Sequence, residues 1–330
     1  MSIPLSVLDL APVPSGSTAS ESLRRTVDLA RLAESLGYVR HWFAEHHSMP
    51  SVASAAPEIL IAHVAAATRH IHVGSGGIML PNHSPLKVAE TFRTLAGLHP
   101  GRIDLGLGRA PGSEPAASRA LRAFEGEQFP ALLSEMRAYC NGGFPEGHPF
   151  RKIRAMPDDV PLPPIWILGS SGASARMAGA AGMGYSFASH FSPTPAAPAF
   201  QAYKASFQPS EAFARPHAIL GVAVVCAETE AEAERHASTM DLAWLRIRRG
   251  QFLPLPSPKE AAAYAYTDFE REAVAEYRQR TIVGTPPQVR AAIESMATAC
   301  AADEVMIVSN LHDPVARLRS YELVASAFLD

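Results

Sequence analysis

The sequence predicts an α/β protein of the TIM-barrel class: a (β/α)8 barrel with insertions. Three observations carry this. Short apolar, strand-like runs alternate with helix-like segments along the whole chain. Eight such strand runs can be marked out. Several of them end in glycine-rich polar segments just before the next helix, as at the functional rim of a parallel barrel. An open doubly wound sheet is the alternative, but the first strand is not followed by a glycine-rich phosphate fingerprint. The 330 residues are read as one domain, 1–330, because barrels with insertions reach this size.

Residues 5–10 form the first apolar run. Residues 20–36 carry Leu23, Val27, Ala30 and Ala33 at helical spacing, with Gly37 as the stop. Residues 38–44 are the second strand, and 57–68 a helix opened by proline. The third strand, 71–77, ends in Ser75-Gly76-Gly77. A further apolar segment, 78–81, leads into a helix over 85–98, which stops at the turn Pro100-Gly101. The fourth strand, 103–108, ends in Gly108-Arg109. Residues from about 141 to 164, rich in proline and glycine, are a long excursion before strand five at 165–168. A Ser/Gly turn then enters a helix. Strand six is 184–188, followed by a helix over 195–207, and strand seven is 219–226. Residues 229–249 are strongly helical, 250–258 a proline-rich break, and 259–280 helical again. A helix at 286–299, strand eight at 304–309 and a helix at 314–328 complete the pattern.

Composition narrows the function classes. The chain is 47% hydrophobic and 18% charged with a net charge of -3, so no basic surface argues for nucleic acid. No apolar run is long enough to cross a bilayer. Cys140, Cys226 and Cys300 are far apart and match no metal-ligand spacing, which fits reduced thiols in a cytoplasmic protein. The N-terminus has no basic region before its apolar run, so no signal peptide is expected.

Three constellations could carry chemistry. Glu45-His46-His47 ends strand two. A histidine there can act as a base near neutral pH, and a carboxylate can orient it; the plain alternative is a polar rim that binds water. Ser170, Ser171 and Ser174 lie at the start of a helix, where backbone N–H groups favour an anion. Simple helix capping explains them equally well. Arg109, at the end of the neighbouring strand four, would turn them into a two-sided phosphate clamp. His70 and His72 lie at the start of strand three, the bottom of the barrel, where such pairs are usually structural, so no metal site is assigned to them. Asn82-His83 sits on the functional rim as a secondary candidate. Trp42, Phe43, Met79, Trp166 and Phe187 are most simply core.

With these residues in view, the chain resembles the bacterial luciferase-like flavin monooxygenase superfamily, in its FMN-type branch. The carrying segments are WFAEHH, VGSGGIMLPNHSPLKVAETFRTLAGLHPGRIDLGLGRAPG, PPIWILGSSGASARMAGAAGMGYSFASH and TIVGTPPQVRAAI. The second is long and specific. The resemblance implies a luciferase-like barrel that binds reduced FMN at its rim and uses O2, through a peroxide at the flavin C4a carbon, to oxygenate a small organic substrate. It implies His46 as the catalytic histidine with Glu45 as the carboxylate before it. It places Gly76 and Gly77 at a non-proline cis peptide beneath the flavin ring, and Arg109, Ser171 and Ser174 at its phosphate. It further implies a homodimer, with a separate flavin reductase as partner where reduced FMN comes from outside. A deazaflavin-dependent hydride-transfer oxidoreductase and a non-catalytic flavin-storage protein are the alternatives. A metal-dependent hydrolase is a distant further one. Two departures are visible. The luciferase reactive cysteine corresponds to Gly108 here, and the expected lid, residues 250–280, carries no recognisable motif.

Overall fold

A computed structural model of the chain describes residues 3–110, 112, 115–121 and 125–328. The strands are β1 (Leu5–Asp9), β2 (Arg40–Phe43), β3 (His72–Ser75), β4 (Ile78–Met79), β5 (Ile103–Gly108), β6 (Ile165–Gly169), β7 (Gly184–Ala188), β8 (Ala218–Cys226), β9 (Thr281–Gly284) and β10 (Glu304–Val308). The helices are α1 (Ala19–Ser35), α2 (Pro57–Ala67), α3 (Pro85–Leu98), α4 (Pro115–Ala120), α5 (Phe129–Asn141), α6 (Gly172–Ala180), α7 (Ala197–Ser206), α8 (Glu230–Arg248), α9 (Pro258–Ala263), α10 (Asp268–Arg278), α11 (Pro286–Cys300) and α12 (Pro314–Phe328).

The strands pair in parallel in the order β10-β1-β2-β3-β5-β6-β7-β8, and β10 pairs back to β8 to close the barrel. β3 and β4 are two parts of one barrel strand. Gly74 pairs with Asp104 and Ile78 with Leu107, so four steps along one side match three along the other. That extra residue is a bulge, and it falls at Gly76-Gly77. β9 pairs with the upper half of β8 and stands outside the closed ring. The eight barrel strands are those the sequence predicts.

Local chemistry explains the helix boundaries. Thr18 and Glu21 form a capping box before α1, whose buried face is Ser22, Thr26, Leu29, Ala30 and Ala33. At Gly101 the chain turns from α3 into β5 with φ +74°, a conformation that favours glycine. The helical reading of 259–280 is corrected: Thr267 caps a new helix, α10, after the short α9, and the chain from Thr281 becomes β9. The excursion before β6 contains no helix, as expected.

Side chains that alternate inward fill the lumen with Leu8, Trp42, Trp166, Ile219, Ala223, Val225 and Met306. Phe43 and Phe187 point outward into the core beneath the helices. At the N-terminal end the lumen is floored by a polar network. Arg40 reaches Asp104 at 2.8 Å and Glu304 at 3.0 Å. Trp42 and Trp166 donate to Asp104 at 3.0 and 3.3 Å, and His217 and Ser6 bond Glu304. His72 lies at this end, 3.9 Å from Asp104. No helix among the described residues is long and apolar enough to cross a membrane.

Candidate active site

The C-terminal ends of the barrel strands bring the sequence-predicted residues onto one rim. Pro111, the last residue of the glycine-rich segment after β5, lies outside the described residues. β2 delivers Glu45, His46 and His47. Glu45 is fully buried and surrounded by donors: the Met79 backbone N–H at 2.8 Å, Asn82 at 3.0 Å, His47 at 2.8 Å and His83 at 3.0 Å. Burial opposes its ionisation. The His83 hydrogen bond and charge, with Asn82 and His47, outweigh burial and hold the carboxyl below its ordinary value. Burial likewise opposes charge on His83, but Glu45 raises that ring above the ordinary imidazole value.

The expectation that Glu45 orients His46 is corrected here. Residues adjacent along an extended chain point to opposite sides, so Glu45 and His47 share one side and His46 the other. His46 Nδ1 instead faces the Gly112 carbonyl at 3.2 Å. A carbonyl only accepts, so this contact selects the Nδ1–H tautomer and leaves the lone pair on Nε2. Burial lowers the His46 pKa, with the Gly112 bond and the Glu45 charge opposing, so the ring is neutral at pH 7. Glu45 acts on His46 through space only, and His83 joins the site as a partner of Glu45.

β3 ends beside this group. The Gly76–Gly77 peptide is cis, and Gly76 N–H donates to the Phe43 carbonyl at 2.7 Å. There is no room for side chains: a Cβ on Gly76 would lie 2.6 Å from Leu8 Cδ1, and one on Gly77 2.8 Å from the Gly106 carbonyl oxygen. The glycine pair therefore packs backbone directly onto the lumen and the neighbouring strand. The Gly108 departure has a packing counterpart, since a Cβ there would meet Met79 Sδ at 2.7 Å.

The other side of the rim is β5 and β6, paired through Leu107 and Ile167. Arg109 and the Ser170-Ser171 turn therefore emerge from adjacent strands. Arg109 is exposed and has no hydrogen bond or ion pair among the described residues. Ser171 is the N-cap of α6 but its side chain makes no capping bond. The Ser170 carbonyl accepts from Thr194 Oγ1 at 3.2 Å. Ser174 is different: its hydroxyl donates to the Ser171 carbonyl at 2.9 Å and lies 3.3 Å from Tyr185 Oη, which also donates to that carbonyl. Ser174 thus braces the first turn of α6, while Arg109, the Ser171 hydroxyl and the open N–H groups of α6 remain as an anion-binding donor set. These residues fit a flavin phosphate: they are donors of the right charge with nothing else to bind.

The family model described as luciferase-like monooxygenase matches residues 3–303. The chain belongs to the luciferase-like monooxygenase family. It is 45% identical over 326 residues to the uncharacterised protein YvbT of Bacillus subtilis (strain 168), covering 98% of this chain and 96% of that one. It is 41% identical over 324 residues to a luciferase-like monooxygenase of Escherichia coli (strain K12), covering 97% and 96%. Among solved structures, apo-MsnO8 superposes with a TM-score of 0.90 at 42% identity, covering 99% and 98%. Two more distant structures share the fold. One is the oxygenating constituent of 3,6-diketocamphane monooxygenase from Pseudomonas putida in complex with FMN, at 20% identity, TM-score 0.74 and coverage of 99% and 98%. The other is an F420-dependent secondary alcohol dehydrogenase, at 14% identity, TM-score 0.70 and full coverage of both chains (100% and 100%). Among the described residues of this luciferase-like chain, no group of three or more His, Cys, Asp or Glu side chains is arranged to hold a metal ion.

Proposed function

We propose that this luciferase-like chain is a flavin-dependent monooxygenase that uses reduced FMN and O2 to oxygenate a small organic substrate. The carrying observation is Arg109, without an ion pair or hydrogen bond among the described residues, beside the open N-terminus of α6, with His46 and the Gly76–Gly77 backbone on the same rim. Arg109, Ser171 and the α6 N–H groups would hold the phosphate, Ser170 would complete that turn, and Ser174 would keep it in shape. Gly76 and Gly77 would let the flat ring approach the backbone closely. Bound in its reduced form, the flavin would supply the electrons that activate O2, leaving one oxygen atom in the product and the other in water.

The chain's own residues then do three things. His46, neutral with its lone pair on Nε2, accepts a proton at that atom and returns it. Glu45, charged, fixes His47 and His83 and keeps the wall beside His46 rigid. Residues 250–280, the lid the family resemblance implies, would cover the site and exclude water. That segment is tied to the loop after β1: Leu255 and Val13 bond at 2.9 Å, Ser15 N–H donates to the Leu255 carbonyl at 2.8 Å, and Ser15 bonds Glu260 at 2.8 Å. The reading includes a homodimer and a separate flavin reductase, both taken from the family resemblance.

A deazaflavin-dependent dehydrogenase is the second reading, favoured by the F420-dependent alcohol dehydrogenase that shares this fold. Anaerobic titration with reduced FMN, reduced riboflavin and reduced deazaflavin, each followed by oxygenated buffer, tests both. Tight binding of reduced FMN, weaker binding of riboflavin and a protein-dependent course of reoxidation support the monooxygenase. Binding of deazaflavin with exclusion of FMN moves the assignment to the dehydrogenase. FMN that binds and reoxidises as it does free in solution leaves a storage protein.

A further inference from the structure

His190 lies two residues past the end of β7. In the ring order β2-β3-β5-β6-β7, β7 stands four steps from β2 in a barrel of eight, which is the opposite wall. His190 therefore emerges across the mouth from His46. Its ring rests on Gly221: a Cβ there would lie 3.2 Å from His190 Nδ1 and 3.5 Å from Cε1. Gly221 alternates with Ile219, Ala223 and Val225, which fill the lumen, and it pairs with the lumen residue Met306. The imidazole thus sits on the inward face of β8, at the top of the lumen.

Among the described residues, Nδ1 of this ring is buried without a hydrogen-bond partner. It lies near the Gly221 carbonyl, but that oxygen already accepts the His190 backbone N–H at 3.2 Å, and the ring makes no bond of normal geometry to it. A nearby carbonyl still favours hydrogen on Nδ1, which leaves the lone pair on Nε2. Burial pushes the ring's pKa down to about 4, with the Gly221 backbone opposing and electrostatic coupling to the His46 ring adding to the fall. The two imidazoles are therefore within electrostatic reach of one another. Each has Nδ1 beside a glycine carbonyl, Gly112 or Gly221, and each keeps an unprotonated Nε2. Leu8, Trp42 and Met306 line the lumen below with apolar groups, Asn310 adds a polar side chain just past the end of β10, and the exposed Phe191 stands edge-on to His190 with ring centroids 4.8 Å apart.

We propose that His190 is a substrate-contacting residue whose Nε2 accepts a hydrogen bond from an uncharged, hydroxyl-bearing substrate held between it and His46. This rests on the monooxygenase reading of the same mouth. Two neutral acceptors above an apolar lumen suit a molecule that donates, and they offer nothing to a carboxylate. Once the bound substrate covers the mouth, an acceptor left without its donor disfavours the analogue that lacks the hydroxyl.

The test uses the full chain saturated with reduced FMN under anaerobic conditions, with 15N-labelled histidines. Phenol, anisole and benzoate are the probes: a donor, the same shape without the donor, and a charged analogue. The His190 ring signals are assigned by their loss in His190→Gln. Phenol is expected to shift the His190 Nε2 resonance, and anisole to bind about tenfold more weakly. Gly221→Ala crowds the ring without removing it and is expected to weaken phenol by a similar factor while reduced FMN binding is retained. His190→Phe keeps the bulk and loses the same preference. Equal affinity for phenol and anisole, or no shift of His190 with any probe while reduced FMN binds, overturns the proposal and leaves the flavin reading intact. A His190 shift caused by reduced FMN alone, unchanged by phenol, also overturns it. Failure of reduced FMN to bind the wild-type protein removes the reading on which it rests.

Discussion

The two ends of the barrel treat polar side chains in opposite ways. At the floor, Arg40, Asp104 and Glu304 are buried, and each charged group is matched by partners 2.8 to 3.3 Å away. At the mouth, among the described residues, Arg109 has no ion pair, Ser171 makes no capping bond, and His190 Nδ1 and Asn310 Oδ1 are buried without partners. The charged groups of the floor are matched within the chain, with only the His72 Nδ1 there buried and unbonded among the described residues, whereas the mouth leaves several donors and acceptors to be satisfied from outside. Part of the mouth belongs with the floor, however. Glu45 is as fully engaged as Asp104, so the wall beside His46 is built before any ligand arrives. That division between rigid support and open donors is what a preorganised site requires.

The largest expected effect lies at the floor. Arg40→Met leaves the Asp104 and Glu304 carboxylates buried without their cation, which costs about 3–5 kcal/mol. The urea unfolding midpoint should fall accordingly, with reduced-FMN binding retained in whatever protein remains folded. If the midpoint hardly moves, the floor is not the stabilising end and the comparison fails. Next comes the mouth. His46→Ala should retain reduced-FMN binding while product formation falls about 10²–10⁴-fold. A variant that turns over at the wild-type rate removes His46 from the proton-handling role.

The same division governs what was legible in the sequence. The eight barrel strands, α3 and α12 follow from local pattern. So does the placement of Glu45, His46, Gly76, Gly77, Arg109, Ser170 and Ser171 at one rim, because each ends a predicted strand. What was not legible depends on partners distant in the chain. Glu45 meets Met79, Asn82 and His83, 34 to 38 residues onward, and Arg40 meets Glu304, 264 residues away. No local window contains such a pair. The signals that existed were charged residues at strand starts, in Arg40, Asp104 and Glu304, and a histidine just past strand six, His190. β4 was missed because a run of 2 residues is too short for a periodicity, and β9 because its 4 residues lie between two segments of helical composition.

A smaller effect separates the two sides of the mouth. Arg109→Ala removes a charge-assisted contact to phosphate, about 1.5–3 kcal/mol of flavin affinity. Reduced FMN should be weakened by that amount and reduced riboflavin, which has no phosphate, hardly at all. The unfolding midpoint should shift by less than about 0.5 kcal/mol in free energy, since Arg109 is exposed and makes no internal bond. Equal losses for FMN and riboflavin would take Arg109 out of the phosphate site.

The smallest effect tests whether the Glu45 wall is as finished as the floor. Glu45 is held below its ordinary value of 4.5, so its contribution is complete above that pH and is lost as pH falls through its lower folded value. His83 is raised above its ordinary value of 6.5, so its contribution is complete below that pH and is lost as pH rises through its folded value. The two shifts describe one ion pair and count once. Stability from the pair is therefore greatest between 4.5 and 6.5 and declines on both sides. His83→Gln keeps a hydrogen-bond donor for Glu45 but loses the charge. The difference in unfolding midpoint between wild type and this variant should peak in that window and shrink as the solution becomes alkaline. A difference that stays constant from acid to alkaline pH would mean that His83 serves Glu45 as a neutral donor. The wall would then be held by hydrogen bonds from Met79, Asn82, His47 and His83 without an ion pair.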